Sequence, residues 1–263
     1  MNVPIRILGI ATSIFWVILI GFIASAAYSL KDLNFNIGEP QYSTTADNNM
    51  LLSLPLYIDN QGFTSLKAFN LTTVFYDQQG VEVSRASTFV PMIPQGQNVT
   101  IAHNATLSMA KLAENNEDYL FADSNLNVAV TAGLNFAELL PVQLSANFTF
   151  PVGAPLYDFT LGQPRCNSLN RTSALVTVPM SFENHATFNV NGIVRANLFD
   201  RNGTLLGGSQ TSLDVPSGSS YMGKLDFAVP ISAASQTSLA SGHVEVTFLT
   251  TTFEHGPVVM PYG

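Results

Sequence analysis

Two short runs decide the fold: Leu52-Ser-Leu-Pro-Leu-Tyr-Ile58 and Val176-Thr-Val-Pro-Met-Ser-Phe182. Apolar side chains take every second position in both, and the second run begins 124 residues after the first. A period of two puts alternate side chains on one face of an extended chain, the mark of a strand with one buried side. Each run carries a proline at the same place, Pro55 or Pro179, and closes in a polar turn opened by an asparagine, Asn60 or Asn184. Proline donates no ladder hydrogen bond, so both strands are expected at a sheet edge or with a bulge at that residue.

The likeness extends in both directions. Upstream, "NFNIGEP" (Asn34 to Pro40) returns as "DFTLGQP" (Asp158 to Pro164), each reading as an opening strand turned out by Gly-x-Pro. Downstream, "NLTTVFYDQQG" ends on Asp77 and Gly80, and "GIVRANLFDRNG" on Asp200 and Gly203. Aspartate caps such a turn through its side chain, and glycine supplies the positive φ that closes it. Proline turns at Pro94 and Pro216 lead to further strands. Each unit then closes with an alternating strand, "LNVAVTAGLNF" or "HVEVTFLTTTF", and a Pro-Val step at Pro141 or Pro257. Beyond the first thirty residues only Met109 to Asn115 and Ser232 to Leu239 read as helical turns. Six or seven short strands per unit predict an all-β chain of two tandem antiparallel β-sandwiches, immunoglobulin-like, over residues 31–153 and 154–263.

Residues 1–30 read differently. From Ile7 to Leu30 there is no charge. A helix of that length rises ~36 Å, enough for a hydrocarbon core of ~30 Å. The expectation is an uncleaved transmembrane signal-anchor helix bounded by Ile7 and Leu30. It would touch membrane lipid, leave the N-terminus in the cytoplasm and place the bulk of the chain outside the cell membrane. The competing reading is a cleaved signal peptide, with Ala24-Ser25-Ala26 before a mature start at Ala27.

Composition removes several functions. Only 11% of the 263 residues are charged and the net charge is −8, with ten Lys and Arg in all. Nucleic-acid binding needs a basic footprint, as does a polybasic lipid-surface binder, and neither is present. The lone cysteine, Cys166, forms no intrachain disulfide and reads as an inert small side chain. No catalytic, nucleotide-binding or paired metal-ligand motif occurs, so no catalytic, cofactor-binding or metal residue is assigned and no cofactor is expected. The four histidines (His103, His185, His243 and His255) share no register, and "ENNED", Glu114 to Asp118, reads as a solvated loop. Asn-x-Ser/Thr sequons at Asn70, Asn98, Asn104, Asn147, Asn170 and Asn202 are N-glycosylation candidates, usable where exposed on a translocated chain.

The order of features resembles the late embryogenesis abundant group 2 domain, also called the water stress and hypersensitive response (WHy) domain. An alternating strand ends in asparagine and a turn; "VFYDQQG", a polar strand, a proline turn and a closing strand follow. The resemblance covers residues 31–150 and 156–263 and points to a prokaryotic, archaeal-like membrane-anchored protein. The family's usual Asn-Pro-Asn turn is replaced here by Asn60-Gln-Gly and Asn184-His-Ala. What the resemblance implies is a small β-sandwich with one short helix, without catalysis, tied to stress protection or membrane attachment. The expected function is a non-enzymatic, extracytoplasmic structural or interaction protein with a protein partner at the cell surface. The alternatives are an accessory subunit of a membrane complex and, after cleavage, a secreted filament subunit assembling by strand addition.

Overall fold

The computed structural model describes residues 17, 20–21, 31–46, 49–136, 140–168, 172–230 and 240–263. The first unit holds β1 (Leu33–Ile37), β2 (Gln41–Thr44), β3 (Met50–Asn60), β4 (Leu66–Tyr76), β5 (Glu82–Ile93) and β6 (Gln97–Leu107). The short helices α1 (Met109–Asn115) and α2 (Asp118–Phe121) follow, then β7 (Ser124–Phe136) and β8 (Leu140–Val152). The second unit holds β9 (Tyr157–Leu161), β10 (Arg165–Ser168), β11 (Ser173–Glu183), β12 (Val190–Asp200) and β13 (Leu205–Val215). It ends with β14 (Ser220–Pro230), β15 (Gly242–Thr250) and β16 (Glu254–Tyr262).

These strands make four antiparallel sheets, two per unit. In the first unit β3 lies between β6 and the pair β1 and β2, opposite the sheet β5-β4-β7-β8. The second unit repeats this with β11 between β14 and the pair β9 and β10, opposite β13-β12-β15-β16. Among the described residues each unit has eight strands, where six or seven were expected. The Pro-Val steps lie within a final strand of each unit, β8 or β16.

The strand prolines sit in central strands, contrary to the edge expectation. Their neighbour gives way instead. β1 pairs β3 up to Leu56 and β2 resumes at Ser53, so the flanking chain breaks opposite Pro55. In the second unit β9 ends on Met180 and β10 resumes on Thr177, on either side of Pro179. The glycine of the Gly-x-Pro phrase closes the gap: Gly38 N–H donates to Pro55 O and Gly162 N–H to Pro179 O, both at 2.8 Å. A β-carbon on either glycine would press on that proline ring.

The turns follow from side-chain chemistry. Asn184 is buried; its Nδ2 donates to Phe188 O (2.9 Å) and Val215 O (3.0 Å), and its Oδ1 accepts from Ala186 N (3.1 Å). Buried Asn60 does the same work, its Nδ2 reaching Thr64 O, Ile93 O and Pro94 O at 3.0–3.2 Å. Asp77 Oδ1 accepts from the N–H groups of Gln79 and Val81, and Asp200 Oδ1 from those of Asn202 and Thr204. Gly80 and Gly203 close these turns at φ of 82° and 77°.

Helix α1 spans Met109–Asn115 as expected, capped by Ser108 and buried through Met109 and Leu112. The second expected helical stretch, Ser232 to Leu239, lies outside the described residues. The transmembrane helix is corrected: no helix among the described residues is long and apolar enough to cross a membrane. The segment Ile7 to Leu30 that carried that expectation lies, apart from Val17, Ile20 and Gly21, outside the described residues.

Candidate functional site

Strand pairing gives the equivalences between units, and two of the exchanges between them put alanine in the first where the second has phenylalanine. Leu52 faces Ala105 across β3 and β6, whereas its counterpart Val176 faces Phe227 across β11 and β14. Leu71 faces Ala132 across β4 and β7, whereas Val194 faces Phe248 across β12 and β15. Phe227 and Phe248 are both fully buried, and Phe248 meets Phe159 edge-on with centroids 5.2 Å apart. Alanine in both places removes two phenyl rings at these positions of the first sandwich, against the methylene gained at each of Leu52 and Leu71.

The missing volume appears as two clefts between its sheets, of 430 and 260 Å³, which share Ile37, Leu56, Leu71 and Val130. The larger is lined also by Leu52, Leu54, Phe75 and Ala105, the smaller by Phe35, Ala132 and Leu144. Close packing is the rule for interiors, so unfilled space between two facing sheets is informative. The mouth is apolar as well: Ile37 is 62% exposed, Leu144 71% and Phe148 51%.

The larger cleft has one polar corner. His103 is buried, with Nδ1 2.8 Å from Thr88 Oγ1 and Nε2 2.9 Å from Thr73 Oγ1. Burial depresses its pKa, so it is neutral at pH 7. Its counterpart, facing Val178 as His103 faces Leu54, is Leu225. The alternation Val99, Ile101, His103, Ala105, Leu107 puts this histidine on the inward face of β6, a signal carried by its own strand and not by any register shared among the histidines.

A second polar cluster lies where the units meet. The link from β8 to β9 is only Gly153 to Leu156, and Ala154 and Leu156 are fully buried. Asp123 Oδ1 accepts from Ala154 N (2.9 Å) while its Oδ2 lies 2.8 Å from His185 Nδ1. Glu183 Oε2 lies 3.0 Å from His185 Nε2, and the ring stacks on Tyr157 at 4.2 Å. Hydrogen bonding to Asp123, then to Glu183, raises the His185 pKa. The units also touch through Thr187 Oγ1, which donates to Met50 Sδ, and through Phe121 against Phe159 and His255. One apolar cluster runs through both, from Met50 and Phe75 to Val246 and Phe248, and a second, around Leu56, Ile58 and Phe69, lies within the first unit. A cleft of 630 Å³ opens beside this junction, between Met109, Asp123 and Phe150 on one side and His185 and Phe188 on the other.

The remaining sequence candidates are dispersed. Asn70, Asn98, Asn104, Asn147 and Asn202 are all exposed; Asn170 lies outside the described residues. Cys166 is exposed on β10. His243 stacks on Phe199, and His255 approaches Glu117 of "ENNED" at 3.5 Å. Among the described residues no group of three or more His, Cys, Asp or Glu is placed to hold a metal ion.

No protein-family model matches the chain, and no curated protein matches it. Among solved structures, red sea bream transglutaminase is similar at 15% identity with a TM-score of 0.32, over 88% of this chain and 31% of that one. A β-glucuronidase from glycoside hydrolase family 2 is similar at 12% identity with a TM-score of 0.27, over 47% of this chain and 11% of that one. The chain thus spans under a third of the length of either, and likeness at this level carries no function across. The resemblance to the late embryogenesis abundant group 2 domain rests on the strand and turn pattern alone.

Proposed function

We propose that this chain is a non-enzymatic, extracytoplasmic binding protein whose working surface is the open side of its first sandwich. The observation that carries the reading is the contrast within one molecule. Two sandwiches share strand order, turn caps and proline breaks, yet one is filled by Phe227 and Phe248 and the other is open at Ala105 and Ala132. A duplicated fold retains an unfilled core, at a cost in packing, where the space is used. The second sandwich then acts as a rigid extension, joined through a buried link rather than a flexible one. Exposed sequons and the weakly charged surface suit an extracytoplasmic setting, and the non-catalytic character accords with what the family resemblance implies.

Photo-crosslinking tests this. A benzoylphenylalanine at position 144, on the rim, is expected to give a covalent adduct in the native host; the same probe at position 222, 88% exposed on the second sandwich, is expected to give none. Equal labelling from both positions, or none from either, would remove the reading.

A further inference from the structure

We propose that the two clefts of the first sandwich form one binding site for the hydrocarbon chain of a membrane phospholipid, whose headgroup stays in water at the mouth. The inference rests on the reading of this side as the working surface and names its ligand class.

The lining selects the ligand. Both clefts are walled mainly by aliphatic and aromatic side chains, with Asn36 at the smaller and Thr73 and His103 at the larger, and with no Lys, Arg, Asp or Glu among them. The polar atoms of Thr73 and His103 in the larger cleft are already bonded, to each other and to Thr88. A peptide laid between the sheets would bring N–H and C=O groups that find no partner there, which is costly in an apolar setting. A hydrocarbon chain brings none. The combined space falls in the range of about 300–1,000 Å³ typical of small-molecule sites.

The rim selects the source. Ile37, Leu144 and Phe148 carry the apolar lining outward and are more than half exposed. A rim of this kind can rest in the apolar layer of a bilayer and accept a chain without passing it through water. No cation lines either cleft, and His103, held neutral by burial and engaged at both ring nitrogens, offers no charge to a carboxylate. A free fatty acid therefore gains nothing from its head.

The second sandwich supplies the control. Filling the first in the same manner, by Ala105→Phe and Ala132→Phe, should abolish uptake while leaving the fold. The assay mixes the full chain with phosphatidylcholine vesicles containing a pyrene-labelled acyl chain at self-quenching density. Wild-type protein is expected to raise monomer emission in a saturable way. The double variant should lose at least tenfold in uptake with unchanged circular dichroism and an equal or higher melting temperature. Each single variant, filling one cleft, should lose part of it, which covers the case in which the double variant does not fold. Wild-type protein that takes up no labelled chain, or folded variants that take up as much as wild type, would overturn the proposal. A protein adduct from position 144 without lipid uptake would overturn this inference and leave the binding reading standing; absence of both would remove both.

Discussion

Asn60 and Asn184 are among the few buried polar side chains of the described residues, and each ties together backbone groups from two turns. Asn184→Ala would leave two buried carbonyls and one N–H unpaired, at about 1–3 kcal/mol for each unmet group, so a loss of about 2–4 kcal/mol is expected after partial relaxation. Urea denaturation measures it, and Asn60→Ala should fall in the same range. His103 gives a second residue-scale prediction. Its pKa is depressed by burial, so the folded protein leaves it neutral at pH values where the unfolded chain, titrating near about 6.5, takes up a proton. Its contribution is therefore present above that pH and lost as pH falls. In His103→Leu, which copies Leu225, the fall in melting temperature between pH 7.5 and 5 should be smaller than in wild type. An identical fall would show that His103 does not titrate in this way.

At the scale of elements, the paired sheets were legible because alternation, turn caps and a fixed offset agreed at many positions. The prolines were misplaced for a physical reason: what proline forbids is one hydrogen bond, and a neighbouring strand can avoid it by breaking rather than by being absent. The final strands β8 and β16 were missed because their alternation is interrupted by proline and small polar residues, as in "LPVQLSANFTF" and "EHGPVVMPY". The cleft was invisible for a different reason. Ala105 corresponds to Phe227 and Ala132 to Phe248 only after strand pairing removes the offset differences made by unequal loops. Phe248→Ala should thus recreate in the second sandwich the space found in the first, at a cost of about 3–5 kcal/mol. Calorimetry of that variant against wild type checks this; a cost under about 1 kcal/mol would mean that the site collapses and that the two sandwiches are not equivalent in packing.

Taken whole, the two units are joined by a core cluster that crosses between them and by the hydrogen bonds around Asp123 and His185, while a second cluster around Leu56, Ile58 and Phe69 belongs to the first unit alone. Both units are expected to unfold in one transition. Gly153→Ala should separate it into two, because a β-carbon there would run into the backbone carbonyl of His185. The His185 contribution has the opposite sign to that of His103. Its pKa is raised by Asp123 first and Glu183 next, so its stabilisation is complete below about 6.5 and fades as pH climbs through the raised value. The exposed position of the cluster keeps this effect small. The most direct test of the central claim, that one sandwich is open and its twin is filled, is methyl-resolved NMR of the full chain titrated with 1-octanol. Saturable shifts are predicted at Leu54, Leu56, Leu71 and Val130, with Val176, Val178, Val194 and Val246 unmoved. Equal shifts in both sets, or none in the first, would contradict it.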